Sequence, residues 1–317
     1  MKKLFALVLF LVFSSSTVSA QEKQKIIFDC DIGGDIDDAY AVALLLSSAE
    51  FDILGIITDS GDTEQRAQVA CRMLYETGRD DIPVIVGRKT GDTFEPQFNW
   101  VKGFDRLRPG NQNAADFIIN NLRRYPGEII LFTVGPVSNI ADVLQKDPQV
   151  LKLAKRIISM FGSFYMGYDG GTKPDAEWNV KVDVEAAKML VASGADITYA
   201  GLDITTFVKF SQSNLMRLHM RQSPLTNAVS GLYQLWQFMD YAALNPTLYD
   251  VVAVGMVLWP ELFETERAYI SVTDEGYTVV DKNKEPNGTI GISIDREEFI
   301  DRVMERLLKQ NLMRKDD

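Results

Sequence analysis

Asp29, Asp31, Asp35, Asp37 and Asp38 put five carboxylates within ten residues, directly behind the apolar run Ile26-Ile27-Phe28. So much like charge is repulsive unless a cation or a tight hydrogen-bond network offsets it, and the natural occupant is a bound metal ion. Hard cations such as Ca²⁺ and Mg²⁺ want oxygen ligands, calcium about six to eight of them. Asp31 and Asp38 could supply part of that shell. Asp250, which follows Tyr249 and opens the apolar run Val251-Val252-Ala253-Val254, is a distant candidate for more of it. Asp35, Asp37, Asp38 and Asp250 also stand where acidic residues favour helix starts through capping and the macrodipole. Capping explains one or two of them and leaves Asp29 and Asp31 unexplained. One His and two Cys argue against a zinc site of the usual nitrogen and sulfur type. His219, on a helix between Leu218 and Met220, reads as an ordinary residue.

The elements that must position these groups follow from hydrophobic periodicity. Residues 25–29 read as a buried strand, Gly33-Gly34 as a turn and 38–47 as an apolar helix, so the carboxylates stand at the carboxyl end of a strand, where open α/β sheets bind ligands. Further strands are expected at 53–58, 83–86, 129–133, 156–160 and 197–200, with helices at 63–77, 114–123, 137–146 and 184–193 between them. That alternation predicts an α/β fold with a mainly parallel central sheet and helices on both faces. Beyond it come helices at 213–220, 225–243 and 250–258. A hairpin follows, with strands at 268–273 and 277–280 around Asp274-Glu275-Gly276, then a strand at 289–294 and a closing helix at 296–309. The connections 87–112 and 161–176 are long enough to be functional, and their aromatics, Phe94, Phe98, Trp100, Tyr165 and Tyr168, argue for order.

Three other segments belong at the same sheet edge. The run 132–139, with Gly135-Pro136, turns sharply from strand to helix and exposes backbone carbonyls. Glu177-Trp178-Asn179 places an acid, an aromatic and an amide before a helix, and Ser60-Gly61-Asp62 closes the second strand.

Residues 1–20 read as a signal peptide: Lys2-Lys3, an apolar stretch at 4–13, then small residues ending Val18-Ser19-Ala20. The apolar stretch is shorter than the ~20 residues a spanning helix needs. The expected product is a single domain over 21–317, exported to the periplasm or secreted, with no membrane association after signal removal. The chain carries a formal charge of −11, which disfavours nucleic acid and anionic membrane surfaces as partners and leaves small ligands open. Cys30 and Cys71 could pair in an oxidising compartment or remain two buried thiols.

In order along the chain, the stretch from Asp29 to Ala39, the turn from Val134 to Asn139, the segment from Ala176 to Ala187, Gly201-Leu202-Asp203-Ile204-Thr205 and Tyr249-Asp250 resemble the motifs of the inosine-uridine-preferring nucleoside hydrolases. The resemblance implies a Ca²⁺-dependent N-glycosidase that hydrolyses ribonucleosides to ribose and free base, an activity of purine and pyrimidine salvage. It implies that Asp31, Asp38, the Val134 carbonyl and Asp250 ligate calcium, and that Asp31 also takes a proton from water. Asp37, Asp62, Met160, Glu177 and Asn179 match positions on the ribose, and Trp178 matches an aromatic there. A homodimer or homotetramer is the implied assembly.

Three departures from the family pattern are visible. Gly33-Gly34-Asp35 lengthens the spacing between Asp31 and Asp37, Asp62 replaces a common Asn, and Tyr249 replaces a His that many members carry to protonate the leaving base. Tyrosine, with an ordinary pKa of about 10, is a weaker acid than imidazolium. That substitution motivates an alternative: a non-catalytic calcium-dependent binder of nucleosides or sugars. A further alternative is a haloacid-dehalogenase-like phosphatase, with Asp29 as nucleophile and Asp31 as acid/base, which leaves Asp37-Asp38 and Glu177-Trp178-Asn179 without a role.

Overall fold

The computed structural model describes residues 22–239 and 242–315. The expected signal peptide at 1–20 and residues 240–241, inside the helix expected at 225–243, lie outside the described residues. In chain order the elements are β1 (Gln24–Cys30), α1 (Asp37–Leu46), β2 (Phe51–Thr58), α2 (Thr63–Glu76), β3 (Val84–Val86), α3 (Ala114–Arg124), β4 (Ile130–Thr133), α4 (Ser138–Lys146), β5 (Arg156–Met160), α5 (Trp178–Val182), α6 (Val184–Ala192) and β6 (Ile197–Ala200). They continue with α7 (Leu202–Thr205), α8 (Gln212–Arg221), α9 (Pro224–Trp236), α10 (Tyr249–Leu258), β7 (Phe263–Ala268), β8 (Ile270–Val272), β9 (Thr278–Val280), β10 (Gly288–Ile294) and α11 (Arg296–Lys309).

Eight strands form one sheet in the order β3-β2-β1-β4-β5-β6-β10-β7, parallel throughout except for β7, which runs antiparallel to β10. β8 and β9 make a separate antiparallel hairpin. Strand alternation sends Ile26, Phe28 and Cys30 into a core shared with α1, α2, α9, α10 and α11, while Ile27 faces a second core built with α3, α4 and α6. The strand order reverses at β1, which has β2 on one side and β4 on the other. A crevice opens at such a switch point, beyond the carboxyl ends of the strands. All ten residues of α1 are buried, and α10 is buried from Asp250 to Val257. Helices apolar all round are interior helices, and these two pack against each other on one sheet face.

Two local expectations are corrected. The expected helix at 225–243 stops at Trp236 in α9, and the chain turns before Met239. The strand expected at 268–273 is preceded by another, β7, which occupies the sheet edge. Its Phe-Glu-Thr-Glu-Arg-Ala sequence carries the charge that blunts an exposed edge, which hides the apolar pattern of a strand. Both cysteines are buried free thiols, which settles their two readings.

Candidate active site

The helices α1 and α10 begin at one place. Asp37, Asp38 and Asp250, in their first turns, bring carboxylate oxygens within 4.8 Å of one another, all three buried. None of the three caps its own helix: the residues before the helices, Ile36 and Leu248, make no side-chain cap bond. The carboxylates reach across instead. Asp37 Oδ2 accepts from the Asp250 backbone N–H at 3.3 Å, and Asp38 Oδ1 from that of Asp31 at 3.2 Å. Burial first, and then mutual repulsion, pushes Asp37, Asp38 and Asp250 well above the usual carboxylate range. Buried like charges so placed call for a cation, and an all-oxygen donor set suits a hard one.

Asp31, in the loop after β1, stands beside these three carboxylates, joined to them through its backbone N–H, and its own carboxylate faces Arg66. Its side chain keeps 17% of its surface accessible, whereas Asp37, Asp38 and Asp250 are 2–4% exposed. It is therefore the carboxylate beside the cluster that reaches solvent. Burial raises its pKa while the neighbouring Arg66 guanidinium opposes the rise. The Val134-Gly135 turn, at the end of β4, lies directly against it: a Cβ on Gly135 would stand 3.0 Å from Asp31 N and Oδ1. The Val134 carbonyl accepts from Asn179 Nδ2 at 2.8 Å, which fixes its place beside the same pocket.

The residues expected to hold the sugar gather around Asn179. Its amide also donates to the Met160 carbonyl at 3.1 Å, at the end of β5, with the Met160 sulfur at 3.4 Å. Glu177 caps α5, accepting from the Asn179 N–H at 2.9 Å, the Gly162 N–H at 3.0 Å and the Val180 N–H at 3.2 Å. Burial lifts its pKa to about 7 against those three donors. Trp178 is 63% exposed and stands at the rim, its backbone N–H donating to the Tyr168 hydroxyl at 2.9 Å. Tyr249 meets Tyr168 edge to face, with ring centroids 6.3 Å apart. Burial, with Asp35, Asp37 and Glu177 nearby, pushes the Tyr249 phenol up to about 12. Asp62 is placed differently. It caps α2 by accepting from the Gln65 N–H at 3.2 Å and faces Lys89 Nζ at 3.7 Å, so its charge has a partner outside the cluster.

The long connections are ordered, as their aromatics suggest. Asp203 accepts from the Phe164 and Tyr165 N–H groups at 2.9 and 2.7 Å, and Thr278 of the hairpin exchanges hydrogen bonds with the Ser163 backbone, so the 161–176 segment is pinned from two sides. In the 87–112 connection, Gln97 is buried and its amide donates to the carbonyls of Gly34 at 2.6 Å and Asp35 at 3.1 Å.

Sequence reasoning missed several groups. Asn139 donates to Asp29 Oδ1 at 2.9 Å and to the Thr58 carbonyl at 3.1 Å, locking Asp29 beneath the pocket. Asp29 is 2% exposed with a pKa of about 8, raised chiefly by burial, and is not presented as a nucleophile. Asp59, buried beside it, follows the end of β2 and was detectable by the strand-end logic that singled out Asp31. Arg66 carried no signal, since an Arg in an amphipathic helix reads as surface.

A family model for inosine-uridine preferring nucleoside hydrolases matches residues 26–301. A pyrimidine-specific ribonucleoside hydrolase, RihA, of Citrobacter koseri is 29% identical over 315 residues, covering 89% of this chain and 97% of its own. Among solved structures, a plant nucleoside hydrolase, the PpNRh1 enzyme, superposes with a TM-score of 0.80 at 26% identity, covering 90% of this chain and 99% of its own. A purine-preferring ribonucleoside hydrolase from Gardnerella vaginalis shares the fold with a TM-score of 0.77 at 23% identity, covering 90% and 98%.

Proposed function

Because this chain belongs to the inosine-uridine preferring nucleoside hydrolase family and is a hydrolase acting on N-glycosyl bonds, we propose that it is a calcium-dependent enzyme that hydrolyses ribonucleosides to ribose and free base. The observation that carries the reading is the convergence of Asp37, Asp38 and Asp250 oxygens within 4.8 Å, beside a solvent-reaching Asp31. Asp31, Asp38, Asp250 and the Val134 carbonyl would hold the ion. Calcium bound there supplies positive charge that offsets the carboxylates and orients a water and the sugar hydroxyls.

The chain's own groups then divide the work. Asp31 takes a proton from the attacking water as its oxygen bonds to C1′. Asp37 accepts hydrogen bonds from ribose hydroxyls, and Glu177, Asn179 and Met160 hold the rest of the sugar. The carbon–nitrogen bond breaks with its electron pair going to the base. Positive charge grows on the sugar in an oxocarbenium-like transition state, which the surrounding carboxylates favour. The departing base needs a proton, and Tyr249, whose phenol carries one at physiological pH, would give it, as a weak acid whose burial raises its pKa to about 12. Relatives and neighbours with pyrimidine-specific and purine-preferring names are both similar to this chain, so a test panel spans both bases. Export is part of the proposal and rests on the charged, apolar and small-residue succession of residues 1–20.

The deciding experiment is sugar release. Chain 21–317 with calcium is expected to liberate reducing sugar from at least one ribonucleoside, and EDTA to abolish it. Ribose binding by calorimetry without turnover would replace the hydrolase with the binder.

A further inference from the structure

We propose that Arg66 is a positioning residue that holds the Asp31 carboxylate and ties together the two loops flanking the sugar site, a role that rests on the hydrolase reading above. Arg66 leaves α2 to lie under the pocket at 6% exposure. Nε donates to the Ser60 carbonyl at 2.8 Å, in the loop after β2. Nη1 donates to the Asp31 carbonyl and, at 3.2 Å, to the Ile32 carbonyl, in the loop after β1. Nη2 stands 3.8 Å from Asp31 Oδ2. One guanidinium therefore bridges three backbone oxygens of two loops and one side-chain oxygen.

The local backbone is shaped around this contact. Ser60 takes a left-handed φ of 65°, unusual for a residue with a Cβ, and its carbonyl meets Nε. Gly34 and Gly61 flank the guanidinium. A Cβ on Gly34 would come 3.3 Å from Nη1 and one on Gly61 3.5 Å from Nη2. The loop so held is the one lengthened by Gly33-Gly34-Asp35, where glycines add freedom that must be removed for Asp31 to keep one orientation. Gln97 grips the same loop at the Gly34 and Asp35 carbonyls. A planar fork with several donors suits such a cluster of oxygens, and a lysine ammonium does not reproduce it.

Arg66→Ala and Arg66→Lys, made in the full mature chain with calcium, test the inference on the best nucleoside of the panel, with kcat, KM and Tm read together. Arg66→Ala is expected to lose about 10²-fold in kcat with KM within a few-fold of the parent, because a small misplacement of a reacting group costs that much. Millimolar guanidinium chloride is expected to restore part of that kcat without acting on the parent, and Arg66→Lys to fall nearly as far as Arg66→Ala. Parental kcat in either variant overturns the inference, as does a loss that follows Tm and that guanidinium does not relieve. Should Arg66→Ala fail to fold, Arg66→Lys decides by the same criterion. If the parent chain releases no sugar from any nucleoside, the hydrolase reading fails by itself. Calcium titration calorimetry then decides Arg66: affinity weakened at least about tenfold in Arg66→Ala sustains it, and equal affinities overturn it.

Discussion

Asp31 differs from the carboxylates around it in one respect that matters for chemistry: it reaches solvent while Asp37, Asp38 and Asp250 do not. Replacing it with Asn keeps the shape and removes the proposed base, so Asp31→Asn is expected to lower kcat by about 10²- to 10⁴-fold, the usual share of a general base. Steady-state sugar release measures it, and an unchanged kcat would remove Asp31 from the proton transfer. Tyr249 is the residue proposed for the other half of the reaction. Tyr249→Phe is expected to slow hydrolysis of natural nucleosides by about 10²-fold and to spare p-nitrophenyl riboside, whose leaving group needs no proton. Equal losses on both substrates would make Tyr249 a packing residue. Asp31, Asp38 and Asp250 were legible as residue types at strand and helix ends. Arg66, Asn139 and Gln97 were not, because a buried polar side chain is defined by partners 34 to 110 residues away.

At the scale of elements, the site is where two interior helices start. The N-termini of α1 and α10 make no side-chain cap bonds and meet across the Asp37 to Asp250 hydrogen bond. Both helices were readable from their apolar runs, and the family motifs implied that Asp38 and Asp250 share one ion, while the contact itself is set by packing on one sheet face across some two hundred residues. The 161–176 segment shows the same limit. Its aromatics announced order, while its anchors, Asp203 and Thr278, come from other elements. Asp203→Ala removes the acceptors of two backbone N–H groups at a half-buried site, a loss of about 1 kcal/mol. The expected result is a raised KM with a smaller change in kcat, because Tyr168 and the Glu177 segment sit on or beside this loop. Kinetics over a substrate range measures the split, and an unaltered KM would show that the segment does not shape the sugar site.

For the molecule as a whole, the buried carboxylates couple folding to protons. Asp29, Asp31, Asp35, Asp37, Asp38, Asp59, Asp250 and Glu177 all have folded-state pKa values above their ordinary ones, burial being the largest cause in each. A raised carboxyl pKa means that the folded state binds more protons than the unfolded chain, so the stabilisation is complete below the unfolded value and is lost as pH rises through the folded one. Chelated protein is accordingly expected to melt at progressively lower temperature as pH goes from about 5 to about 8, spanning the values near 6, 7 and 8 of Asp35, Glu177 and Asp29. Added calcium is expected to raise Tm most at the high end, where the carboxylates are ionised. Thermal denaturation with and without EDTA measures both, and a chelated Tm that climbs over that range would contradict the burial of these charges.

The sequence by itself determined the alternation of strands and helices, the parallel sheet and the strand-end placement of the acidic cluster, because periodicity and composition are local properties that survive without knowledge of partners. It also carried the family motifs in order. Tertiary structure decided the rest: how Asp37, Asp38 and Asp250 meet, that Asp62 caps a helix and faces Lys89, that β7 guards the sheet edge, and that Arg66 binds two loops together. These are contacts between segments far apart in the chain, and their energies depend on burial and distance, which exist only once the chain has packed.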